Sequence, residues 1–214
     1  MKPTGRAEDG SPLLSEQTPE ELAARAQGGS LAAYGELVRR FQDRVYSFLL
    51  RRTLTASDAE DLAQETVLRA WRRICLYKPT HRFSTWLFTI AARLASSHRR
   101  AGARRAARQP KPRMGSAPDL AAGLVREERR GRVWEVVDRA LGGDQRTIVW
   151  LRYAEGLSMQ EIATVLGKTQ VGVRVALFRA RETLASRPEL ASEMEVRAPA
   201  SRPVRGRAMA GGVR

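Results

Sequence analysis

Apolar residues recur at three- and four-residue intervals over two long stretches of the chain, a spacing that predicts amphipathic helices. In the first stretch they predict one helix at about 30–52, a second beginning after Ser57 and a third at about 84–99. No run of alternating β-branched residues suggests a strand. The predicted fold class is therefore all-α.

The polar positions give these helices faces of different charge. Ser57 is followed three residues later by Glu60, which fits a capping box at the start of the second helix. One face of that helix carries Asp58, Asp61 and Glu65, together with two arginines. The third helix carries a basic face. The pattern thus predicts a bundle that exposes one acidic and one basic surface.

A helix-turn-helix is predicted at residues 158–181, within a stretch (144–184) of clear helical pattern. Ser158, with Glu161 three residues later, can cap one helix, and Gly167 supplies a left-handed turn at its end. Thr169 can cap the final helix, which would enter the major groove of DNA. An ordinary helical hairpin with a solvated basic face fits the same pattern, and the pattern alone leaves both interpretations open.

The charge of the chain favours a polyanionic partner. The sequence has 38 Lys and Arg against 23 Asp and Glu, a formal net charge of +15. Nucleic acid and anionic membrane both fit, but no apolar run approaches the roughly 18 residues of a spanning helix, so membrane insertion is not predicted. The one cysteine, Cys75, excludes an internal disulfide, and two histidines are too few for an ordinary zinc site, so no cofactor is predicted. A reducing cytoplasm is the consistent location.

Composition divides the chain into five segments. Residues 1–18 are predicted to be a disordered leader, 19–100 a first helical domain and 101–122 a linker containing Pro and Gly. Residues 123–187 form a second helical domain, and 188–214 a basic tail. The architecture predicted is two small helical domains joined by a flexible basic linker.

An enzyme is the least supported class. Gly167-Lys168-Thr169 resembles the end of a phosphate-binding loop, but that motif needs glycine at position 162, which is Ile. The sequence shows no metal-ligand cluster, no nucleophile with a matched base and no glycine cradle. We therefore predict no catalysis.

Several motifs, in order, resemble the extracytoplasmic-function (ECF) sigma factors of bacterial RNA polymerase. Residues 151–167 (LRYAEGLSMQEIATVLG) and 178–182 (FRARE) resemble the fourth conserved region of that family. Residues 36–46, 58–71 and 83–100 resemble the opening, middle and end of its second region. The resemblance implies a protein that binds core RNA polymerase, through its clamp helices and flap, and directs transcription from promoter DNA.

The resemblance also implies roles for individual residues. In the family, the second helix docks on the clamp helices, which here assigns core polymerase binding to Asp58, Asp61, Gln64 and Glu65. The loop at about 75–84 captures a flipped base of the minus-ten element, and stacking and phosphate contacts suit such single-stranded DNA. The implied minus-ten residues are Tyr77, Lys78, His81, Arg82, Phe83 and Arg93, whereas Trp86 is expected to pack in the core.

The recognition helix would read the minus-thirty-five duplex. Gln170 and Arg174 suit base edges, and Arg179 and Arg181 suit phosphates. The full set assigned to this duplex is Lys168, Thr169, Gln170, Arg174, Phe178, Arg179 and Arg181.

The sequence departs from the family at its reading surfaces. Where the family usually has Gly-Thr-Val-Lys-Ser-Arg, residues 171–176 are Val-Gly-Val-Arg-Val-Ala, so Val175 and Ala176 replace polar residues. In the minus-ten helix, Ala92-Arg93 replaces a common Arg-Asn pair, and Ser97 stands where Asp is frequent. We therefore expect an unusual promoter sequence, of which a weaker dependence on the minus-thirty-five element is one form.

Three questions stay open from the sequence. The basic segment 99–113 is either a plain tether or, as in the family, a segment that threads polymerase toward the RNA exit path. A stand-alone helix-turn-helix regulator would share the C-terminal half, but gives no reason for the acidic helix or the aromatic loop. By resemblance alone, a membrane-associated anti-sigma factor is an expected partner and would hold the inactive protein at the membrane.

Overall fold

The computed structural model describes residues 13–108 and 128–186, and within them the regular elements are helices, as predicted. The predicted tail from residue 188, residues 1–12 of the leader and residues 109–122 of the linker lie outside this part. The helices are α1 (Pro19–Gln27), α2 (Leu31–Leu50), α3 (Ala56–Arg72), α4 (Phe83–Arg108), α5 (Glu128–Ala140), α6 (Gly143–Tyr153), α7 (Met159–Leu166) and α8 (Gln170–Ala185), with a short 3-10 turn at Ile74–Leu76.

The first domain is a bundle in which α2 packs against α1, α3 and α4. Its core is aromatic: the rings of Phe41 and Phe83 lie 5.4 Å apart, and those of Phe48 and Phe88 5.3 Å apart. The tilted and edge-on geometries of these pairs are the ones that aromatic quadrupoles favour. The apolar stripes of α2 and α4 therefore form one shared core.

The start of α3 differs from the prediction. The cap is Thr55, whose hydroxyl accepts a hydrogen bond from the N–H of Asp58 at 3.1 Å, and Ser57 lies inside the first turn. Both residues carry a suitable hydroxyl in a short polar stretch, and the preceding turn at 51–55 brings Thr55 into the extended cap conformation. The predicted capping box at Ser57 is therefore wrong by two residues.

The last residues of the predicted leader are held in place. Arg40 donates hydrogen bonds to the backbone carbonyls of Leu14, Ser15 and Gln17 at 2.7, 2.9 and 2.6 Å. Thr18 then begins α1 with a capping box. The prediction of disorder is wrong for residues 13–18, because one guanidinium on α2 satisfies three of their carbonyl groups.

Helix α4 is longer than the sequence pattern predicted. It begins at Phe83, one residue before the predicted start, and continues to Arg108, past the boundary expected at residue 100. The first part of the predicted linker is thus a helical extension of the first domain, rich in arginine.

The second domain contains the predicted helix-turn-helix. The Ser158 hydroxyl accepts from the N–H of Glu161 at 3.2 Å, and the Glu161 carboxylate accepts from the N–H of Ser158 at 2.8 Å, which confirms the capping box. Gly167 has φ of 62°, in the left-handed region as predicted. Thr169 caps α8 by accepting from the N–H of Gly172 at 3.0 Å.

The two domains pack against each other, mainly through α4 and α7. Trp150 on α6 lies with its ring centroid 5.9 Å from that of Phe48 and 5.6 Å from that of Phe88. At the edge of this apolar contact, Arg44 forms an ion pair with the buried carboxylate of Glu155. The sequence pattern did not predict this interface.

Candidate polymerase and nucleic-acid interfaces

The exposed face of α3 is acidic. Asp61 and Gln64 are exposed, whereas Leu62 and Thr66 on the opposite side are buried in the bundle. Neither Asp61 nor Gln64 forms a side-chain hydrogen bond or ion pair with another described residue. An exposed, unpaired carboxylate in a chain of charge +15 is available to a basic protein surface and repels DNA.

The other two residues assigned to this face are partly buried and paired. Asp58 lies 3.3 Å from Nε2 of His98 on α4, and Glu65 forms an ion pair with Arg69 one turn later at 2.5 Å. The helix thus presents all four predicted residues near one surface, with Asp61 and Gln64 the most accessible of them.

The loop between α3 and α4 is built by long-range hydrogen bonds. The side-chain amide of Gln27 donates to the carbonyls of Ile74 and Tyr77 at 2.9 and 2.8 Å. The carboxylate of Glu20 accepts from the N–H of Phe83 at 2.9 Å and so caps α4. The Gln27 donor and the Glu20 acceptor both lie on α1, which therefore positions the loop. No local sequence signal identified these two residues, because their partners lie about 50 residues away or more.

Two residues assigned to base stacking are in the core. Tyr77 and Phe83 are only 3% and 1% exposed, and their rings lie 5.5 Å apart. The Tyr77 hydroxyl donates to the carbonyl of His81 at 2.8 Å, and burial raises the pKa of Tyr77 to about 12. Both rings thus pack in the core of this structure, and the stacking on a flipped base that was assigned to them stays a prediction. Trp86 packs on the same pair at 5.5 and 5.6 Å, in keeping with its predicted core role.

The basic side chains of the loop lie on its surface. Lys78, His81 and Arg82 are exposed, as is Arg93 on α4. Arg82 donates to the carbonyl of Gly156 in the second domain at 3.3 Å. These side chains therefore form a polar, basic surface on the loop, above the packed rings of Tyr77, Phe83 and Trp86.

Helix α8 exposes the predicted reading surface. Val173 and Leu177 are buried, and Gln170, Arg174 and Arg179 are exposed beside them. Phe178 is 61% exposed, unusual for a large aromatic side chain on a surface helix.

Three further residues assigned to DNA also have partners within the protein. Lys168 forms an ion pair with Asp144 at 2.9 Å, and this hydrogen-bonded contact lowers the pKa of the carboxyl despite partial burial. Arg181 donates from Nε to the hydroxyl of Tyr153 at 2.8 Å. The Thr169 hydroxyl is the α8 cap. These contacts orient side chains beside the recognition helix without burying the charges.

Within residues 13–108 and 128–186, no group of three or more His, Cys, Asp or Glu side chains is placed to hold a metal ion. In the same residues, no helix combines the length and apolar character that a membrane crossing requires.

The chain matches two family models. Residues 37–105 match Sigma-70 region 2, and residues 139–184 match Sigma-70 region 4. The RNA polymerase sigma-H factor of Pseudomonas aeruginosa is 31% identical over 187 residues, which span 80% of this chain and 94% of the relative. The ECF RNA polymerase sigma-E factor of Escherichia coli strain K12 is 31% identical over 184 residues, 80% of this chain and 95% of the relative.

Solved structures share the fold. CnrH, in complex with the cytosolic domain of CnrY, aligns with a TM-score of 0.56 and 24% identity over 83% of this chain and 99% of that one. The sigma factor RpoE of Bartonella quintana, in complex with the anti-sigma factor NepR, aligns with a TM-score of 0.55 and 21% identity over 72% and 94% of the two chains. The acidic helix lies inside the region 2 match, and α8 lies inside the region 4 match.

Proposed function

Because this chain belongs to the extracytoplasmic-function family of bacterial RNA polymerase sigma factors, we propose that its two domains divide the contacts of initiation between them. The first domain binds core polymerase through α3 and minus-ten DNA through the loop before α4. The second reads the minus-thirty-five duplex through α8. The observation that carries this division is the opposite charge of the exposed faces of α3 and α8.

The α3 surface is proposed to dock on the clamp helices. Asp61 and Gln64 supply the accessible polar contacts, and Asp58 and Glu65 extend the acidic surface beside them. Electrostatic complementarity of this kind mainly sets specificity and the rate of encounter. The second domain would contact the flap.

The minus-ten phosphate contacts are proposed to rest on basic side chains. Lys78, His81 and Arg82 on the loop surface, with Arg93 on α4, suit the phosphates of a single strand held close to the packed rings. The packed rings beneath the loop would hold these side chains in place along the strand.

The minus-thirty-five contact is proposed to follow the usual division between bases and phosphates. Gln170 and Arg174, in the first turns of α8, reach base edges, and Arg179 and Arg181 reach the backbone. Lys168 lies just before the helix and adds a further cation near a phosphate.

The partners and location are proposed by family. CnrH and the Bartonella RpoE are each solved with a second protein, in the latter case an anti-sigma factor, and we propose that an anti-sigma factor also controls this chain. Because core polymerase is its proposed partner, we propose that the protein acts in the cytoplasm and is held at the membrane when its regulator binds it there. We propose no catalytic activity of its own.

Reconstitution with core RNA polymerase tests the proposal. Purified chain and core enzyme are incubated with promoter fragments selected from a random pool, and run-off transcripts are measured. Specific transcripts that require the chain support a sigma factor. Tight duplex binding without polymerase, and no transcripts with it, would instead support a stand-alone helix-turn-helix regulator.

A further inference from the structure

We propose that Val171, Val175 and Phe178 form an apolar reading strip on α8 that contacts thymine methyl groups in the minus-thirty-five duplex. The inference rests on the proposed function of α8 and goes beyond it by naming a class of base that the helix selects.

The three side chains share one face of the helix. They are spaced four and three residues apart, which places them one above another along an α-helix. Val171 is 66% exposed, Val175 42% and Phe178 61%. The inward face is formed by other residues, Val173, Leu177, Ala180 and Leu184, which are essentially fully buried. The strip is therefore not part of the core.

The charges around the strip indicate its occupant. Arg174 and Arg179 are exposed on the same helix, Lys168 lies just before it, and Arg181 follows. An apolar protein groove closing over the strip would have to remove these cations from water, which is costly without matched partners. The phosphates of duplex DNA supply such partners on either side of the major groove. Charge complementarity thus favours DNA.

The chemistry of the strip then selects the base. Aliphatic valine side chains neither donate nor accept hydrogen bonds, so they cannot read the polar pattern of a base edge. In the major groove, the apolar group that the bases present is the C5-methyl of thymine, and apolar side chains contact it. Val175 adjoins Arg174, which is suited to a guanine edge, so the helix combines one polar and one apolar contact along the groove.

The test removes the methyl group and nothing else. Minus-thirty-five sequences are selected with holoenzyme from a random pool, and each selected thymine is replaced in turn by deoxyuridine, which keeps the hydrogen-bonding pattern. We expect at least one position at which promoter affinity falls about fourfold, the effect of losing one buried methyl-sized group.

Variants assign the effect to the strip. In Val171→Ala and Val175→Ala, the preference for thymine over deoxyuridine should shrink at a defined position, whereas Val175→Thr, which keeps a methyl, should retain most of it. Leu31→Ala is the matched control, because Leu31 is an exposed apolar residue (69%) at the start of α2, and it should leave the preference intact.

Several results would overturn the inference: selected sequences without thymine, equal affinity for thymine and deoxyuridine, or an unchanged preference in both alanine variants. A loss of core polymerase affinity in Val175→Ala, with methyl sensitivity unchanged, would also overturn it and assign the strip to a protein contact. Failure of the proposed function is distinct, because it would leave the wild-type chain unable to direct specific transcripts at all.

Discussion

Helices α3 and α8 have the same kind of N-terminal cap but exposed faces of opposite charge, for which we propose different partners. Each is capped by a threonine, Thr55 or Thr169, whose hydroxyl accepts from an N–H three residues later at 3.1 or 3.0 Å. Each buries an apolar stripe. Their exposed faces differ: α3 presents Asp61 and Gln64, and α8 presents Arg174 with cations on both sides. The cap and the buried apolar stripe stabilise each helix, and the exposed side chains determine which partner it binds.

Charge reversal on α3 should have the largest effect of the substitutions considered, a loss of affinity for core polymerase. In Asp61→Arg, a cation faces the basic surface proposed as partner, and a like-charge contact at an interface costs several kcal/mol. We expect core polymerase affinity to fall by about 100-fold, measured by fluorescence titration, with unfolding unchanged because Asp61 is exposed. Asp43→Arg reverses an exposed carboxylate on α2 and should alter affinity little. Equal losses in the two variants would contradict a specific α3 surface.

Truncation of the base-reading arginine should have the next largest effect. Arg174→Ala removes a candidate bidentate contact, worth about 1–3 kcal/mol of base discrimination. Transcription from the selected promoter should fall while core binding stays intact, and specificity should relax at one base pair. Arg25→Ala, an exposed arginine on α1, serves as the control. An unrelaxed sequence preference in the Arg174 variant would remove this residue from the reading surface.

The cap of α7 should contribute a pH-dependent stability. Burial alone would raise the pKa of Glu161, but hydrogen bonds from Ser158 and Thr85 and the nearby Arg82 outweigh it, so the pKa is lowered. A carboxyl with a lowered folded pKa stabilises the fold above its ordinary value of 4.5, and the contribution disappears as pH falls through the folded pKa. We expect Glu161→Gln to lower the free energy of unfolding at pH 7, measured in urea, because a neutral acceptor replaces a charged one, and the difference should close at acid pH.

Glu21 is the matched comparison for Glu161. It completes the capping box of α1 with Thr18 and its pKa is lowered by the same kind of hydrogen bond. Glu21 is exposed and its side chain bonds to Thr18, whereas Glu161 also accepts a hydrogen bond from Thr85 of the first domain, so Glu21→Gln should destabilise less than Glu161→Gln. The reverse order would show that the hydrogen bond to Thr85 adds nothing, and a Glu161 gap that persists at acid pH would show that the effect does not depend on the ionised carboxylate.

The smallest effect is expected at a phosphate contact. Arg179→Ala should weaken binding nearly uniformly across promoter sequences and reduce the slope of log affinity against log salt by about 1. The measurement is holoenzyme–promoter affinity over a range of salt concentrations. A loss of affinity that depends on the promoter sequence would instead indicate that Arg179 contacts a base edge, as proposed for Arg174.

The local elements were predictable because their signals are local. The Ser158–Glu161 box and the turn at Gly167 each depend on residues within one or two helical turns, and both predictions are confirmed. The cap of α3 was misplaced because Thr55 and Ser57 offer equivalent hydroxyls, and the choice between them depends on the path of the preceding turn.

Long-range contacts account for what the sequence did not predict. Tyr77 and Phe83 look like accessible loop aromatics until Gln27 and Glu20 fold the loop onto the bundle. The interface between the domains was also not predicted, because it joins residues far apart in the sequence. The Thr85 hydroxyl donates to the Glu161 carboxylate at 3.0 Å across this interface. Because both residues are polar, the sequence pattern alone would place them on a solvent-exposed face.

The central claim, that α3 contacts polymerase while α8 contacts DNA, is tested most directly by photocrosslinking in the open promoter complex. A photoreactive side chain replaces Asp61 in one sample and Arg174 in another, and the crosslinked species are identified by mass. We predict a crosslink from position 61 to a polymerase subunit and from position 174 to DNA near minus thirty-five. A crosslink from position 61 to DNA, or from position 174 only to polymerase, would contradict the account.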